Sequence, residues 1–326
     1  MQNQQTFLVT GAMGCLGSWV LRNLLDQGAR VVAADLATEP SRARLLMTDA
    51  EIADINWVSM DVTDAKAVDD IVASNDVSHI VHLAGLQIPF CKANPSTGAA
   101  VNVVGTVNIL EAARKNNVKG LCYASSLAAF GPEANYPERP IKDDAPLIPS
   151  SLYGVYKAAN EGTAKVYWQD YQLGSVGLRP YIVYGVARDQ GLTSDIAKAI
   201  LATAANKPFH IRFDGPVALQ HANDTAQIFI RSAQAEYQGA AACNLRGDVI
   251  EVATFLSLLD ELFPENQVTL KTNAPLPYPS DLDDSGLRRI LGDVPFTPLR
   301  TAIVADVQRF KTLIEAGKVD LEQLNK

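Results

Sequence analysis

Tyr153 and Lys157 stand four residues apart in Tyr153-Gly154-Val155-Tyr156-Lys157, within a stretch, Tyr153–Tyr171, patterned as a helix. At that spacing two side chains share one helix face. A lysine ammonium below a tyrosine hydroxyl favours the phenolate and lowers its pKa from about 10. Such a pair can take a proton from an alcohol while a hydride leaves the same carbon. Ser126, in Ala124-Ser125-Ser126, is the third group, with a hydroxyl able to hold the same oxygen in place. Tyr156 is a competing tyrosine, read as core or substrate wall. Alone, Tyr-x-x-x-Lys is an ordinary exposed helical pair. Its place among the surrounding elements decides its meaning.

Those elements alternate. Thr6–Thr10, Arg30–Asp35, Asn56–Met60, His79–Ala84, Gly120–Ser125 and Ser175–Pro180 read as six buried strands. Amphipathic stretches lie between them, including Leu16–Gln27, Ala65–Ser74 and Asn102–Asn116. This cadence predicts an α/β fold with a Rossmann-type, doubly wound parallel sheet. The first strand closes in Gly11-Ala12-Met13-Gly14-Cys15-Leu16-Gly17, and a helix pattern follows at once. Gly11 permits a tight turn, Gly14 lets the backbone approach a pyrophosphate, and Gly17 lets helix and sheet pack closely. The amides at Met13, Cys15 and Leu16 complete a dinucleotide cradle at a helix N-terminus. Asp35 ends the second strand, about 18 residues beyond Gly17. A carboxylate there accepts ribose hydroxyls and repels a 2′-phosphate, so NAD is favoured over NADP; a plain turn aspartate is the alternative. Arg42 and Arg44 follow after a gap, within reach of a 2′-phosphate but not in place of Asp35. Asp61-Val62, after the third strand, is placed either to meet adenine or, through Asp61, to cap the next helix.

Composition narrows the partners. The 326 residues are 48% hydrophobic, and 28 basic against 36 acidic residues give a net charge of −8. A surface of that sign, with no basic cluster, speaks against nucleic acid. The longest mostly apolar run, Ile80–Phe90, is short of the roughly 20 residues needed to cross a bilayer, so no membrane association is expected. Met1–Thr6 shows neither a basic nor an apolar leader pattern, and the four scattered cysteines suit buried free thiols; a cytoplasmic location is the expectation. Four histidines without ligand spacing predict no metal.

Taken together, these motifs resemble the short-chain dehydrogenase/reductase superfamily in its extended, NAD-dependent epimerase/dehydratase branch. The matches add His82-Leu83-Ala84-Gly85, Asn102-Val103-Val104-Gly105-Thr106, Leu178-Arg179-Pro180 and His221-Ala222-Asn223-Asp224 to the glycine turn, Asp35, Asp61, Ser126, Tyr153 and Lys157. The resemblance implies that Leu83, Ala84, Gly85, Asn102, Tyr181 and Val183 join the cofactor site, with Tyr153 and Lys157 against its nicotinamide end. It also implies a homodimer formed through the helices that carry Asn102 and Tyr153. Two departures bear on substrate. The family's sugar-nucleotide dehydratases carry Thr-Asp-Glu where this chain reads Ser126-Leu127-Ala128, which removes the acid and base for water elimination. Ile182 and Val217 stand where nucleotide-sugar epimerases have Asn and Arg, which implies a smaller, non-nucleotide substrate.

Ligands bind beyond the carboxyl ends of parallel strands, so Gln87, Ser126, Tyr184, Arg188 and Thr193 are the candidate substrate contacts. Arg188 can recognise a carboxylate or hydroxyls; a solvated loop residue is its alternative role. Residues 1–180 are expected to form the cofactor domain, segments near 216–250 to return to it, and 181–326 mainly a smaller substrate lobe. The expected function is an NAD-dependent oxidoreductase acting on a secondary alcohol of a small sugar, sugar acid or hydroxy acid, in carbohydrate metabolism. An epimerase that retains its NAD, or a non-catalytic dinucleotide-sensing regulator, are the alternatives.

Overall fold

Successive residues of a strand face opposite sides of a sheet, and here both sides are apolar. The computed structural model describes residues 5–271 and 274–325. β1 (Thr6–Thr10), β2 (Arg30–Asp35), β3 (Asn56–Ser59), β4 (His79–His82), β5 (Gly120–Ala124) and β6 (Ser175–Arg179) pair in parallel. Phe7 and Val9 of β1 enter one core while Leu8 enters the other, and β2 repeats this with Val31 and Ala33 against Val32 and Ala34. On the first face the helix Cys15–Asp26, through Trp19, Val20 and Leu24, packs beside the helix Ala222–Gln234. On the second lie the helices Ala65–Ser74 and Gly105–Lys115, through Val68, Val72, Ile109 and Leu110. Each large apolar side chain so buried contributes roughly 1.5–3 kcal/mol.

The later strands are β7 (Ile182–Tyr184), β8 (Phe209–Ile211), β9 (Pro216–His221), β10 (Ala240–Asn244), β11 (Asp248–Glu251) and β12 (Val268–Leu270). The main sheet has seven strands in the order β10-β6-β5-β4-β1-β2-β3. This is the Rossmann-type doubly wound arrangement expected from the strand–helix cadence. Its winding reverses between β1 and β4, which opens a crevice at their carboxyl ends. Strand β9 stays outside that sheet, between β7 and an antiparallel β11, and β12 pairs with β8. The core of the first face continues without a break into Ile200, Phe213, Phe255 and Phe310. Among the described residues, no helix is long and apolar enough to cross a membrane.

β10 reads Ala240-Ala241-Ala242-Cys243-Asn244, a composition poor in strand formers. Its place is fixed by pairing with β6, Ala240 opposite Ser175 through Asn244 opposite Arg179, and by a buried polar network. The Arg179 guanidinium donates to both Glu161 oxygens at 2.8 and 2.7 Å and to Asn244 Oδ1 at 3.0 Å. It also lies 4.7 Å from the Phe130 ring centroid, and Ser125 Oγ donates to Glu161 Oε1. Both ions are almost wholly withdrawn from water. Glu161 belongs to the helix Leu152–Tyr171, so one ion pair joins the helix that carries Tyr153 to β6 and β10.

Candidate active site

The turn after β1 is built for close backbone approach. Gly11 has φ +67°, and a Cβ there would stand 2.8 Å from the Ala84 amide nitrogen, at the end of β4. A Cβ at Gly17 would fall on the Gly11 carbonyl. The helix Cys15–Asp26 begins with no capping side chain and no acid in its first turn. Its first amides therefore remain for an anion, with the helix dipole behind them. Met13 N donates to Asp35 Oδ2 at 2.9 Å and Ala37 N to Asp35 Oδ1 at 3.0 Å, which holds the carboxylate at the crevice edge. The turn, which a side chain at Gly11 or Gly17 would drive into neighbouring backbone, fits a dinucleotide pyrophosphate.

Asp61 does not cap the helix that follows β3. Its Oδ1 accepts from Thr63 N and Thr63 Oγ1, both at 2.8 Å, and the cap of the following helix is Asp64, which accepts from Lys66 N and Ala67 N. Capping by Asp61 is thereby corrected; two aspartates three positions apart gave the sequence no means of choosing. Val62 is buried against Gly105, where an added Cβ would lie 2.6 Å from Val62 Cγ2.

Tyr153, Ser126 and Lys157 converge where β5 meets the helix Leu152–Tyr171. Ser126 hydrogen-bonds the Tyr153 hydroxyl, and its Oγ accepts from Ala128 N at 3.1 Å. Burial pushes the Tyr153 hydroxyl up, against the pull of Ser126 and of the Arg188 charge. Arg188 is thus one cation that lowers it. Lys157 Nζ donates to Ala124 O at 2.7 Å and lies 5.4 Å from the Tyr153 ring centroid. Tyr156 OH donates to Pro95 O at 3.0 Å, which turns it away from the Tyr153 oxygen.

Burial lowers Lys157 to about 8. The unfolded chain keeps the ordinary lysine value of 10.5, so it binds more protons between those two points. The fold therefore carries a cost for this ammonium that is full below about pH 8 and fades as the pH rises toward 10.5. Lys157→Met removes that cost. In urea titrations of ligand-free protein, the stability difference between variant and wild type is expected to shift toward wild type by about 1 kcal/mol from pH 7 to pH 9. A difference that stays constant with pH would show that Lys157 does not carry the cost.

Asn102 sits within a single π-helical turn, Ala100–Val104, where an uninterrupted helix was expected. The wider turn frees the Asn102 carbonyl to accept from Asn160 Nδ2 and Thr106 Oγ1, both at 2.8 Å. Its side chain donates to Gly98 O at 2.9 Å, while Oδ1 is buried without a partner. A Cβ on Gly85 would stand 2.8 Å from that Oδ1 and 3.4 Å from Lys157 Nζ, so the two side chains flank Gly85. Sequence reasoning missed Asn160, Glu161 and Thr10. Thr10 Oγ1 accepts from Ala84 N at 3.2 Å and bonds His82 Nδ1 at 2.7 Å. Burial holds His82 neutral, with a pKa of about 3. For Thr10 the available signal was a polar residue at the carboxyl end of an otherwise apolar strand; Asn160 and Glu161, in the helix Leu152–Tyr171, carried none.

Of the substrate candidates, Gln87, Arg188 and Thr193 gather around Gly191. A Cβ there would stand 3.1 Å from Gln87 Oε1 and 3.8 Å from Arg188 Nη2, and Arg188 Nη2 donates to Thr193 Oγ1 at 3.1 Å. Arg188 Nε is buried without a partner. Tyr184 does not join them. It is fully buried beside His221, ring centroids 5.4 Å apart, so the expected substrate contact is corrected. Ile182 and Val217 are also fully buried, in β7 and β9, and face the core rather than a cleft. Neither residue therefore limits the substrate to a non-nucleotide one, contrary to expectation. Val183 is buried as well, and Tyr181 N donates to Gln220 Oε1 at 2.9 Å.

Residues 7–245 match the model of the NAD dependent epimerase/dehydratase family. The chain is 32% identical over 208 residues to a UDP-glucose 4-epimerase of Mycolicibacterium smegmatis, covering 62% of this chain and 65% of that one. It is 27% identical over 303 residues to the mitochondrial L-threonine 3-dehydrogenase of Sus scrofa, covering 89% of this chain and 78% of that one. For the first relatives the matched stretch spans only 54–65% of their own length. A UDP-glucose 4-epimerase of Thermus thermophilus, solved with NAD, superposes with a TM-score of 0.77 at 25% identity, over 94% of this chain and 99% of that one. The glycine cradle, the aspartate at the end of β2 and the match over most of the chain carry one conclusion: the protein belongs to the NAD-dependent epimerase/dehydratase family, as an enzyme of the extended short-chain dehydrogenase/reductase type.

Proposed function

We infer that the protein oxidises or reduces a secondary alcohol on a small carboxylate-bearing substrate, a hydroxy acid or sugar acid. The observation that carries this reading is Arg188. Its charge acts on the Tyr153 hydroxyl, its Nε lacks a partner in a buried setting, and Thr193 and Gln87 stand beside it. A guanidinium so placed grips a carboxylate next to the reacting carbon. Gly11, Gly14, Gly17, Asp35, Asn102, Tyr153 and Lys157 would hold NAD, which when bound supplies the hydride acceptor. Ser126 fixes the substrate hydroxyl, and that proton passes to the Tyr153 oxygen. Arg188 and the hydrogen bond from Ser126 both favour the phenolate that must accept it. Relatives named L-threonine 3-dehydrogenase, which act on a hydroxylated acid, match 89% of this chain, whereas those named UDP-glucose epimerase match 56–62%. Exposed Val104, Val155 and Val166 on the helices near Asn102 and Tyr153 support a homodimer, and four free thiols support a reducing, cytoplasmic location.

The test is a panel of hydroxy acids, sugar acids and neutral sugars with NAD, following nicotinamide reduction optically. Reduction confined to the acids is the expected result. Arg188→Met is expected to raise KM for the acid by about 10- to 100-fold, the effect of losing a charged hydrogen bond of roughly 1.5–3 kcal/mol. An unchanged KM sinks the carboxylate assignment. Interconversion of a nucleotide sugar without added NAD would establish the epimerase reading instead.

A further inference from the structure

Two arginines follow β2, in the part of the chain nearest the ribose-binding aspartate, and neither is free. Arg42 Nε and Nη2 donate to Asp189 Oδ1 and Oδ2 at 2.9 and 3.1 Å, a bidentate pair between residues 147 positions apart. The remaining guanidinium nitrogen, Nη1, donates to Met13 O at 3.3 Å. Arg44 Nη1 donates to Glu39 Oε2 at 3.0 Å, and its Nε lies 3.9 Å from Asp49 Oδ1. Met13 joins Arg42 to the coenzyme edge of the crevice. Its carbonyl receives the guanidinium, and its amide donates to Asp35 Oδ2 at 2.9 Å. One residue therefore separates the Arg42 cation from the Asp35 carboxylate.

We propose that Asp189 is a second determinant of the preference for NAD over NADP, acting by holding and neutralising Arg42. This rests on the reading of Asp35 as the ribose contact. A 2′-phosphate brings a charge of about −2 to the ribose edge. It would meet Asp35 there, and the cation within one residue of Asp35 is already committed to a carboxylate in two-pronged geometry. The pair is partly shielded, with side-chain exposures of 22% and 34%, so its attraction is not dissipated as at an open surface. A phosphate gains little from an arginine whose charge is already offset at about 3 Å. Arg42 and Asp189 also line a cavity of about 170 Å³ with Ser41 and Ala187. The guanidinium is therefore bordered by open space rather than by packed core. Asp189 belongs to the loop that carries Arg188 and Thr193. The segment assigned to substrate thus also discriminates between coenzymes.

The test is titration of the purified protein with NADH and with NADPH, read by nicotinamide fluorescence and independent of turnover. Asp189→Asn keeps the side-chain shape and removes the charge. It is expected to tighten NADPH binding by about tenfold while NADH affinity stays within about threefold. Adding Arg42→Gln to that variant is expected to return NADPH binding to the wild-type level. Arg42→Gln alone breaks the same ion pair without freeing a cation, and is expected to give no gain. If the NADPH to NADH ratio in Asp189→Asn stays within twofold of wild type, the proposal is overturned. A gain that survives the loss of Arg42 also overturns it, since removal of a negative charge would then suffice. A wild type that prefers NADPH defeats the reading of Asp35 itself, a different failure that the first titration exposes.

Discussion

Replacing Tyr153 with phenylalanine is expected to lower turnover by about two to four orders of magnitude, the range for losing a positioned acid or base. The ring and its packing remain, and only the oxygen proposed to take the substrate proton is lost. Coenzyme affinity is expected to stay within about twofold, because the glycine turn and Asp35 provide most of the grip. Steady-state rates beside NADH titrations separate the two quantities. The pH profile adds a second check. Burial holds the wild-type hydroxyl above its ordinary value in the ligand-free protein, so oxidation should accelerate as the pH rises toward the tyrosine range, and the phenylalanine variant should lose that slope. Near-normal activity in the variant would move the proton to another group and remove the mechanism.

Glu161→Gln is expected to cost about 3–5 kcal/mol of stability, the penalty for leaving one member of a buried ion pair without its partner. Arg179 would then keep its charge while 2% exposed, with only neutral acceptors in contact: Asn244 Oδ1, the Asp143 carbonyl and one amide oxygen at position 161. Urea unfolding measures the loss directly. Replacing both residues with apolar groups of similar volume is expected to recover most of it, because no stranded charge remains. A loss below about 1 kcal/mol in the single variant would mean that water reaches the pair and supports it.

The parts of the site that could be read from sequence are those held by local spacing. Tyr153 and Lys157 share a helix face by periodicity, and Gly11, Gly14 and Gly17 follow directly from the end of β1. Asp35 lies at the end of the next strand. The structure brings these groups to one crevice because the order of elements determines where each strand end emerges. What could not be read depends on distant partners. Nothing near Arg42 in the chain announces Asp189, and nothing near Tyr153 announces Arg188. Tyr184, Ile182 and Val217 went astray for a different reason. A strand places alternate residues on opposite faces, and for short β7 and for β9 hydrophobicity alone did not show which face met the cleft. The alanines of β10 hid a strand whose position comes from its neighbours.

The late arrival of β10 has a consequence for the newborn chain. When Arg179 has been synthesised, β6 can pair with β5, but its other edge has no partner until Asn244 follows. At about 5–20 residues per second, those intervening residues take several seconds to make, longer than most small domains need to fold. Throughout that interval the growing chain exposes an unpaired parallel edge, and the Arg179 charge lacks its contact with Asn244. Trp19 and Leu24, too, wait for the helix Ala222–Gln234 to cover their face of the sheet. The growing chain therefore carries an almost complete nucleotide-binding half with one open strand edge until β10 arrives.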